Sequence, residues 1–366
     1  MAIKLRVSKE KILDGLQRVR NIVSTRTTLP ILSNVLLQAD KEGLHLTTTD
    51  LDVAIKTKIE AEVAKVGATT LPARKLFTIL KEVVVNDIEM EVDDKNAAAI
   101  RSGTSFFKVM GLPDEEFPRF PQVPEGKELK LSQSTLRQLL RQTSYAASAD
   151  ETRYVLNGVF MSFKAEKLTV VATDGRRLAL AEAEVEIPKG AETEFIIPTK
   201  AVVELERLLA DSGELSIAVG ENQLIVNLGG TVLVTKLIEG AYPNFRQVIP
   251  SEAKERISLE REKLLGALHR AAILASEKQQ SVKLQFSREL LTITATTPEV
   301  GESKETLALS YKGKDVVIAF NPHYLMEPLR HLDADEVFLE LTDEMSPGVV
   351  KVNGPFLYVL MPMRLG

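Results

Sequence analysis

The strongest constraint on this chain is that it repeats. Pro72, Pro198 and Pro322 each end an apolar, β-forming run and open an apolar-periodic segment, in TTLPARKLFTILKEV, EFIIPTKAVVELERLL and VVIAFNPHYLMEPLRHL. They lie 126 and 124 residues apart. Proline suits the first turn of a helix, where its missing N–H leaves no bond unmade, so the three mark equivalent strand-to-helix junctions. A second marker agrees. VSKEKILDGLQRVRNIV begins at Val7, LSQSTLRQLLRQTSYAA at Leu131 and LEREKLLGALHRAAILA at Leu259, 124 and 128 residues apart. Each has apolar residues at helical spacing, as in Leu136, Leu139 and Leu140. Ser8 and Ser132 suit the N-cap, and Glu260 is a weaker one. A third marker is a glycine turn before a strand, at Gly103, Gly230 and Gly354, with spacings of 127 and 124. Three markers with one period near 125 divide the 366 residues into three like units.

Each unit reads as helix, strands, helix, strands. The helices are expected over residues 7–20 and 73–85, 131–147 and 200–212, 259–275 and 322–333. Between them lie short strands such as VLLQAD, LHLTTTD and VAIKTKIEAEV, GVFMSF, LTVVATD and LALAEAEVEI, or VKLQFS, LLTITATT and ETLALSY. Strands in runs joined by short turns favour antiparallel pairing, so the class is α+β with three tandem similar domains. The boundaries are set at 1–122, 123–247 and 248–366, inside the Pro-rich, charged stretches 113–130 and 239–258 that read as linkers.

Composition then removes whole classes of chemistry. With no cysteine there is no disulfide, thiol nucleophile, thiolate zinc site or iron–sulfur cluster. The start, MAIKLRVSKE, has no apolar signal core, and no run approaches the length of a membrane span. A soluble, cytoplasmic protein is expected. The phosphate-loop, dinucleotide, HExxH and GxSxG motifs are absent. The four histidines do not form a metal pair, since His323 and His331 are eight apart. TDGRR (173–177) contains Asp-Gly, a turn dipeptide. No catalytic residue, metal or cofactor is assigned. The net charge of −5 hides a segregation, because the six helical segments sum to +5 and leave −10 for the rest. A positive helical layer suits phosphates, and without a base-stacking aromatic sheet the contact would be independent of sequence. On these grounds alone an enzyme of triplicated α+β architecture, with carboxylates doing acid–base work, and a scaffold without a DNA role stay open.

Seven strings carry a resemblance. LPILSNVLLQ (29–38), TLPARKLF (70–77), RYVLNGVF (153–160), VATDGRRLAL (171–180), AYPNFRQVIP (241–250), RAAILASEK (270–278) and YVLMPMRL (358–365) resemble, in order and over nearly the whole chain, the bacterial sliding clamps. That family is the β subunit of DNA polymerase III holoenzyme. The resemblance implies a ring-shaped head-to-tail homodimer of six similar domains, with helices lining the pore and antiparallel sheets outside. Such a ring encircles double-stranded DNA and tethers the replicative polymerase, conferring processivity by enclosure. Its implied partners are the polymerase catalytic subunit, the clamp loader and other proteins with a clamp-binding motif.

The resemblance also implies sites. Arg26, Arg74, Arg153, Tyr154 and Lys200 match positions that touch DNA, and Arg137 and Arg141 are added from the uncontested positive charge of their helix. A pocket for partner peptides is implied at Leu156, Thr173, Gly175, Arg176, Arg177, Leu178, Pro243 and Val248 for one subsite. Tyr324, Met345, Ser346, Val359, Met361, Pro362, Met363 and Arg364 match the other. Methionines give an adaptable apolar wall for related peptides. The subunit interface is implied to set Phe107 and Val109 against Ile273 and Leu274, with Lys108 and Arg101 facing Glu299, Glu302 and Glu305. Three departures stand out. Arg176 replaces a His of the best-known members, Gln247 replaces an Arg, and Thr104 and Phe106 stand where some members are basic. A different peptide preference and a more apolar, less salt-sensitive interface are the expectations.

Overall fold

The computed structural model describes residues 3–23, 28–121, 128–275, 281–298 and 300–364. The three repeats are laid out in one order. The first runs β1 (Ile3–Ser8), α1 (Lys9–Val19), β2 (Asn34–Asp40), β3 (Gly43–Thr49), β4 (Val53–Ile59), β5 (Glu62–Lys65), β6 (Gly67–Pro72), α2 (Ala73–Glu82), β7 (Asp87–Val92), β8 (Ala97–Ser102) and β9 (Ser105–Met110). The second runs β10 (Leu129–Ser132), α3 (Gln133–Thr143), β11 (Gly158–Lys164), β12 (Lys167–Thr173), β13 (Arg177–Glu184), β14 (Thr193–Pro198), α4 (Thr199–Leu208), β15 (Glu214–Val219), β16 (Gln223–Asn227) and β17 (Thr231–Lys236). The third runs β18 (Glu255–Glu260), α5 (Arg261–Ala272), β19 (Val282–Ser287), β20 (Leu290–Thr297), β21 (Gly301–Ala308), β22 (Val316–Phe320), α6 (Pro322–His331), β23 (Glu336–Leu341), β24 (Gly348–Lys351) and β25 (Phe356–Leu360).

All six expected helices form, each shorter than its apolar periodicity. Val7, Leu131 and Leu259 belong to strands β1, β10 and β18, and the helices begin just after them. The reason is local. IKLRVS alternates buried and exposed residues and enters α1 with no turn between them, so a strand ending in Val7 looks like the first helical turn. Ser8 caps α1, its side chain accepting from the Lys11 N–H at 3.2 Å. Glu260 precedes α5 without a capping bond. The prolines differ by one position. Pro72 is the N-cap residue of α2, whereas Pro322 is the first residue of α6 and Asn321 caps it by accepting from the His323 N–H at 2.9 Å.

Every strand pair is antiparallel. The eight-stranded sheets β10-β15-β16-β17-β4-β3-β2-β6 and β14-β11-β12-β13-β25-β24-β23-β18 each combine strands of two repeats. The seams are β17 on β4, with Val234 opposite Ala54, and β25 on β13, with Val359 opposite Leu178. Two further sheets, β5-β1-β7-β8-β9 and β21-β20-β19-β22, stay within one repeat. Strand sharing explains why the compact units cut across the repeats. One unit holds Met1–Ser134 with Val203–Leu237, and the other holds Thr135–Val202 with Ile238–Gly366.

The stretches between repeats do more than connect. Phe117 packs on Ile31, Leu32 and Leu36, and Phe120 on the cluster of Ala218, Ile225 and Val234. Residues 122–127 lie outside the described ones. After the second repeat, Tyr242, Phe245 and Ile249 cover Val171, Leu178 and Val359. The segments that read as linkers are therefore sheet covers. No helix among the described residues is long and apolar enough to cross a membrane.

Candidate functional site

The turn between β12 and β13 is densely hydrogen-bonded. Asp174 builds it. Its Oδ1 accepts the N–H groups of Arg176 (2.9 Å) and Arg177 (3.1 Å), and its Oδ2 accepts Arg177 Nε at 3.1 Å. The Thr173 hydroxyl donates to the Arg177 carbonyl at 2.6 Å and accepts the Gly175 N–H at 3.1 Å. Gly175 sits at φ +85°, a left-handed conformation that a side chain would strain, and a Cβ there would come within 3.0 Å of Arg153 Nη1. The turn expected from Asp-Gly is thus present, and Asp174, absent from the sequence-derived site, holds it.

Arg177 ties the turn to its surroundings. Its side chain is only 12% exposed and Asp174 15%. Nη2 donates to the Tyr145 carbonyl at 2.7 Å, and the guanidinium lies 4.4 Å from the Tyr324 ring centroid. Tyr145 in turn stacks on His331 at 4.7 Å. Burial pushes the Tyr145 hydroxyl well above its usual pKa, and burial does the same to Tyr358. Tyr358 has a definite task. Pro328, inside α6, has no N–H to offer the Tyr324 carbonyl four residues back, and the Tyr358 hydroxyl donates to that carbonyl at 2.8 Å instead.

An apolar floor lies beside the turn. Leu178 and Val359 are paired across β13 and β25 and almost fully buried. Phe160 stacks on Tyr242 at 5.1 Å, and Phe245 is tilted against it at 5.9 Å. Pro243 and Val248 belong to the same covering segment and are exposed. The chain end is pinned next to them. The Met361 N–H donates to the Arg176 carbonyl at 3.0 Å and the Met363 N–H to the Ala319 carbonyl at 2.8 Å. Met361 remains 45% exposed and Met345 67%. Pro362 is partly buried and Arg364 exposed. Met345 and Ser346 lie in a loop held by Asp343, which accepts both their N–H groups at 3.0 and 2.7 Å. Hydrogen bonds from the Ser346 side chain and those N–H groups hold the Asp343 carboxyl below its usual range. Leu156 closes a short turn, its carbonyl accepting the Ser148 N–H at 2.9 Å.

The structure thus brings Thr173, Gly175, Arg176, Arg177, Leu178, Tyr324, Val359 and Met361 into one bonded neighbourhood. Sequence reasoning missed Asp174, Tyr145, Tyr358, Phe160, Tyr242 and Phe245. The proximity of Asp174 to the quoted motif was the available signal. The tyrosines offered none, because their roles depend on long-range packing.

The cationic candidates divide. Arg74, the second residue of α2, is exposed, as is Lys200 on α4. Arg137 is half-buried on α3. Arg141 does not carry an uncontested charge, because Asp333 lies 3.2 Å away. That carboxylate comes from the turn after α6, which a count along α3 alone omits. Arg153 belongs to the pocket turn, donating to the Asp174 carbonyl at 2.7 Å, while neighbouring Tyr154 is 60% exposed. Arg26 lies outside the described residues.

The two single-repeat sheets expose edges. In the first unit β9 alternates, with Phe106, Lys108 and Met110 outward and Phe107 and Val109 half-buried. The apolar surface on that edge is therefore led by Phe106, 58% exposed, and Met110, 62%. Arg101 is 3.8 Å from Glu91. In the second unit Ile273 is 71% exposed and Leu274 less so, and Glu302 is exposed on β21. Glu305 is already bound by Arg270 at 2.6 Å, so it is not a spare carboxylate. Glu299 lies outside the described residues. Among the described residues no cluster of three His, Cys, Asp or Glu side chains could hold a metal ion.

Comparison with known proteins places these features in a family. Models of the DNA polymerase III beta subunit match in chain order, the N-terminal domain over residues 3–121, the central domain over 130–244 and the C-terminal domain over 246–364. The beta sliding clamp of Chlamydia muridarum is 34% identical over 363 residues, covering 99% of each chain. That of Pseudomonas aeruginosa is 35% identical over 364 residues, covering 98% of this chain and 99% of its own. Among solved structures, a DnaN sliding clamp from P. aeruginosa bound to griselimycin superposes with a TM-score of 0.95 at 34% identity, covering 100% of both chains. The DNA polymerase sliding clamp of Bacillus subtilis also gives 0.95, at 29% identity and the same coverage.

Proposed function

Since the chain belongs to the DNA polymerase III beta subunit family, the beta sliding clamps, we propose that two copies close head to tail into a ring around duplex DNA. The protein is a DNA sliding clamp with three tandem clamp domains, for which 1–122, 123–247 and 248–366 are the working limits. It performs no catalysis in this reading, and it works in the cytoplasm on DNA of any sequence. Enclosure prevents escape, so weak, interchangeable phosphate contacts suffice and leave the ring free to slide. Arg26, Arg74, Arg137, Arg141, Arg153, Tyr154 and Lys200 are the proposed DNA contacts; Arg141 also meets Asp333 and Arg153 the Asp174 carbonyl.

One observation carries the ring. Two half-sheets join at each internal seam, always the last strand of one repeat on the fourth strand of another, and among the described residues only β9 and β21 are left with open edges of those two kinds. An open apolar edge is a liability unless it is paired. The second seam sets Val359, five residues after its turn glycine, opposite Leu178, twenty before its helix proline. Carried to the free strands through the hairpins β8–β9 and β20–β21, that register sets Lys108 opposite Glu302 of a second copy and Phe107 opposite its Ser303. The first pair joins two exposed, opposite charges and the second two half-buried residues, which agrees with the pleat. Ile273 and Leu274 would add apolar cover.

The Thr173–Leu178 turn, the Tyr242–Ile249 cover and the pinned chain end form the proposed peptide pocket, which serves the polymerase, the clamp loader and other partners in turn. Griselimycin is bound by the related P. aeruginosa clamp and offers a probe. It should bind this protein, and the double change Met361→Ala, Met363→Ala should weaken it by about 10–100-fold, through lost apolar contact. Calorimetry of both proteins checks this. Equal affinity would remove the chain end from the site.

A further inference from the structure

We propose that Lys81 reaches the C-terminus of α5 in the second copy and caps it, which gives the subunit seam a helix-to-helix clasp beside its strand pairing. The inference rests on the reading of the chain as a head-to-tail ring. Its template lies inside one chain. Where β17 joins β4, Arg207 of α4 crosses from the second repeat to the first. Its Nη1 donates to the Gln17 carbonyl at 2.9 Å and its Nη2 to the Arg18 carbonyl, both in the last turn of α1. Carbonyls there lack helical donors and form the negative end of the helix dipole, so a cation is the fitting cap. Buried Glu204 steadies the guanidinium at 2.7 Å.

Three like backbone bonds fix the equivalent positions. The first N–H of α1, α3 and α5 bonds a carbonyl after the second helix of its own repeat, in Lys9 to Asn86, Gln133 to Gly213 and Arg261 to Asp335. The second helices close with Val83 on Ile79, Leu209 on Leu205 and Leu332 on Pro328. Counted from these bonds, Lys81 stands where Arg207 does, and His269 and Arg270 stand where Gln17 and Arg18 do. The acceptor is ready, because the Ile273 N–H bonds the Arg270 carbonyl at 3.3 Å in place of that of His269. The donor is ready as well. Lys81 is exposed, and its ammonium enters no hydrogen bond or ion pair among the described residues. The β25–β13 seam uses another cation. There Arg330 stays beside Glu327, and Arg141 of α3 meets Asp333 at 3.2 Å. Val84, 94% exposed, takes the place of Asp333 at the subunit seam, so that ion pair is not available and Lys81 is the cation left. Lys81 shares a face of α2 with Arg74, seven residues earlier, but Arg207 stands so to Lys200 and still turns to α1.

Sedimentation equilibrium without DNA compares the native protein with Lys81→Met, Lys81→Arg and the charge control Lys65→Met, an exposed lysine on β5. A dimeric ring closes two seams, so Lys81→Met should raise the dimer dissociation constant by about tenfold or more. Lys81→Arg should stay within about threefold of native and Lys65→Met within about twofold. At a concentration where native and Lys81→Met are both dimeric, hydrogen exchange in the last turn of α5 should be faster in Lys81→Met, although the change lies in the first repeat. A native dissociation constant and native exchange in Lys81→Met would overturn the cap and leave the ring standing. A native protein that is monomeric at micromolar concentration would remove ring and cap together. If Lys81→Met dimerises like the native protein but binds a short DNA duplex more weakly, Lys81 serves DNA and the proposal is overturned.

Discussion

Arg177→Ala should destabilise the second unit by about 3–5 kcal/mol, the usual cost of stranding one partner of a buried ion pair. The side chain and Asp174 are both largely buried. Its removal leaves Asp174 Oδ2 without Nε, the Tyr145 carbonyl without Nη2 and the Tyr324 ring without its cation. The turn that presents Arg176 should loosen with it, so peptide affinity should fall as well. Arg177→Lys should recover little, because a single ammonium cannot serve a carboxylate, a carbonyl and a ring face together. Urea unfolding followed by tyrosine fluorescence measures the first effect and peptide titration the second. A loss below about 1 kcal/mol would show that the network is ornamental to stability.

The second large effect concerns closure. The chain contains no cysteine, so an introduced pair has no native competitor. Lys108→Cys combined with Glu302→Cys should oxidise to a covalent dimer in most molecules, because opposed residues of adjacent antiparallel strands lie within disulfide reach. Lys108→Cys with Lys304→Cys, displaced two residues along the strand, should cross-link poorly. Equal yields from the two pairs would reject the register carried over from the β25–β13 seam. The same dimer should respond weakly to salt. With Phe106, Met110 and Ile273 exposed for the interface and Glu305 already occupied by Arg270, dissociation should change by less than about tenfold between about 0.1 and 0.5 M salt. A steep dependence in sedimentation would contradict an apolar interface.

Much of this architecture was legible in the sequence because it is periodic. The prolines, helix starts and glycine turns recur near every 125 residues, and each unit repeats one order of elements. What periodicity could not reveal is strand sharing between repeats. The seams of β17 with β4 and β25 with β13 join segments remote in sequence, and no local pattern records them. The covering segments were misjudged for a related reason. Their proline and charge resemble linkers, while Phe117, Tyr242 and Phe245 acquire their roles only against a sheet face. The pocket was legible as far as its quoted motif reached, in Thr173, Gly175 and Arg177. Asp174, Tyr145 and Tyr358 act through contacts across tens of residues or more, apart from the turn bonds of Asp174, and so escaped a reading by local string. Arg141 shows the converse error, since a helix that is positive along its own length can still be answered by Asp333 from elsewhere.

The most direct test of the central claim is topological. The protein is loaded onto nicked circular DNA by the clamp loader of the same bacterium, isolated by gel filtration in moderate salt, and then treated with a restriction enzyme that cuts the circle once. A clamp held by enclosure stays with the circle through the column and is lost within minutes of linearisation, and it is retained again when both ends are blocked by bound protein. Retention on linear DNA with free ends, or loss from the intact circle, would show that contact energy rather than enclosure holds it, and would contradict the account.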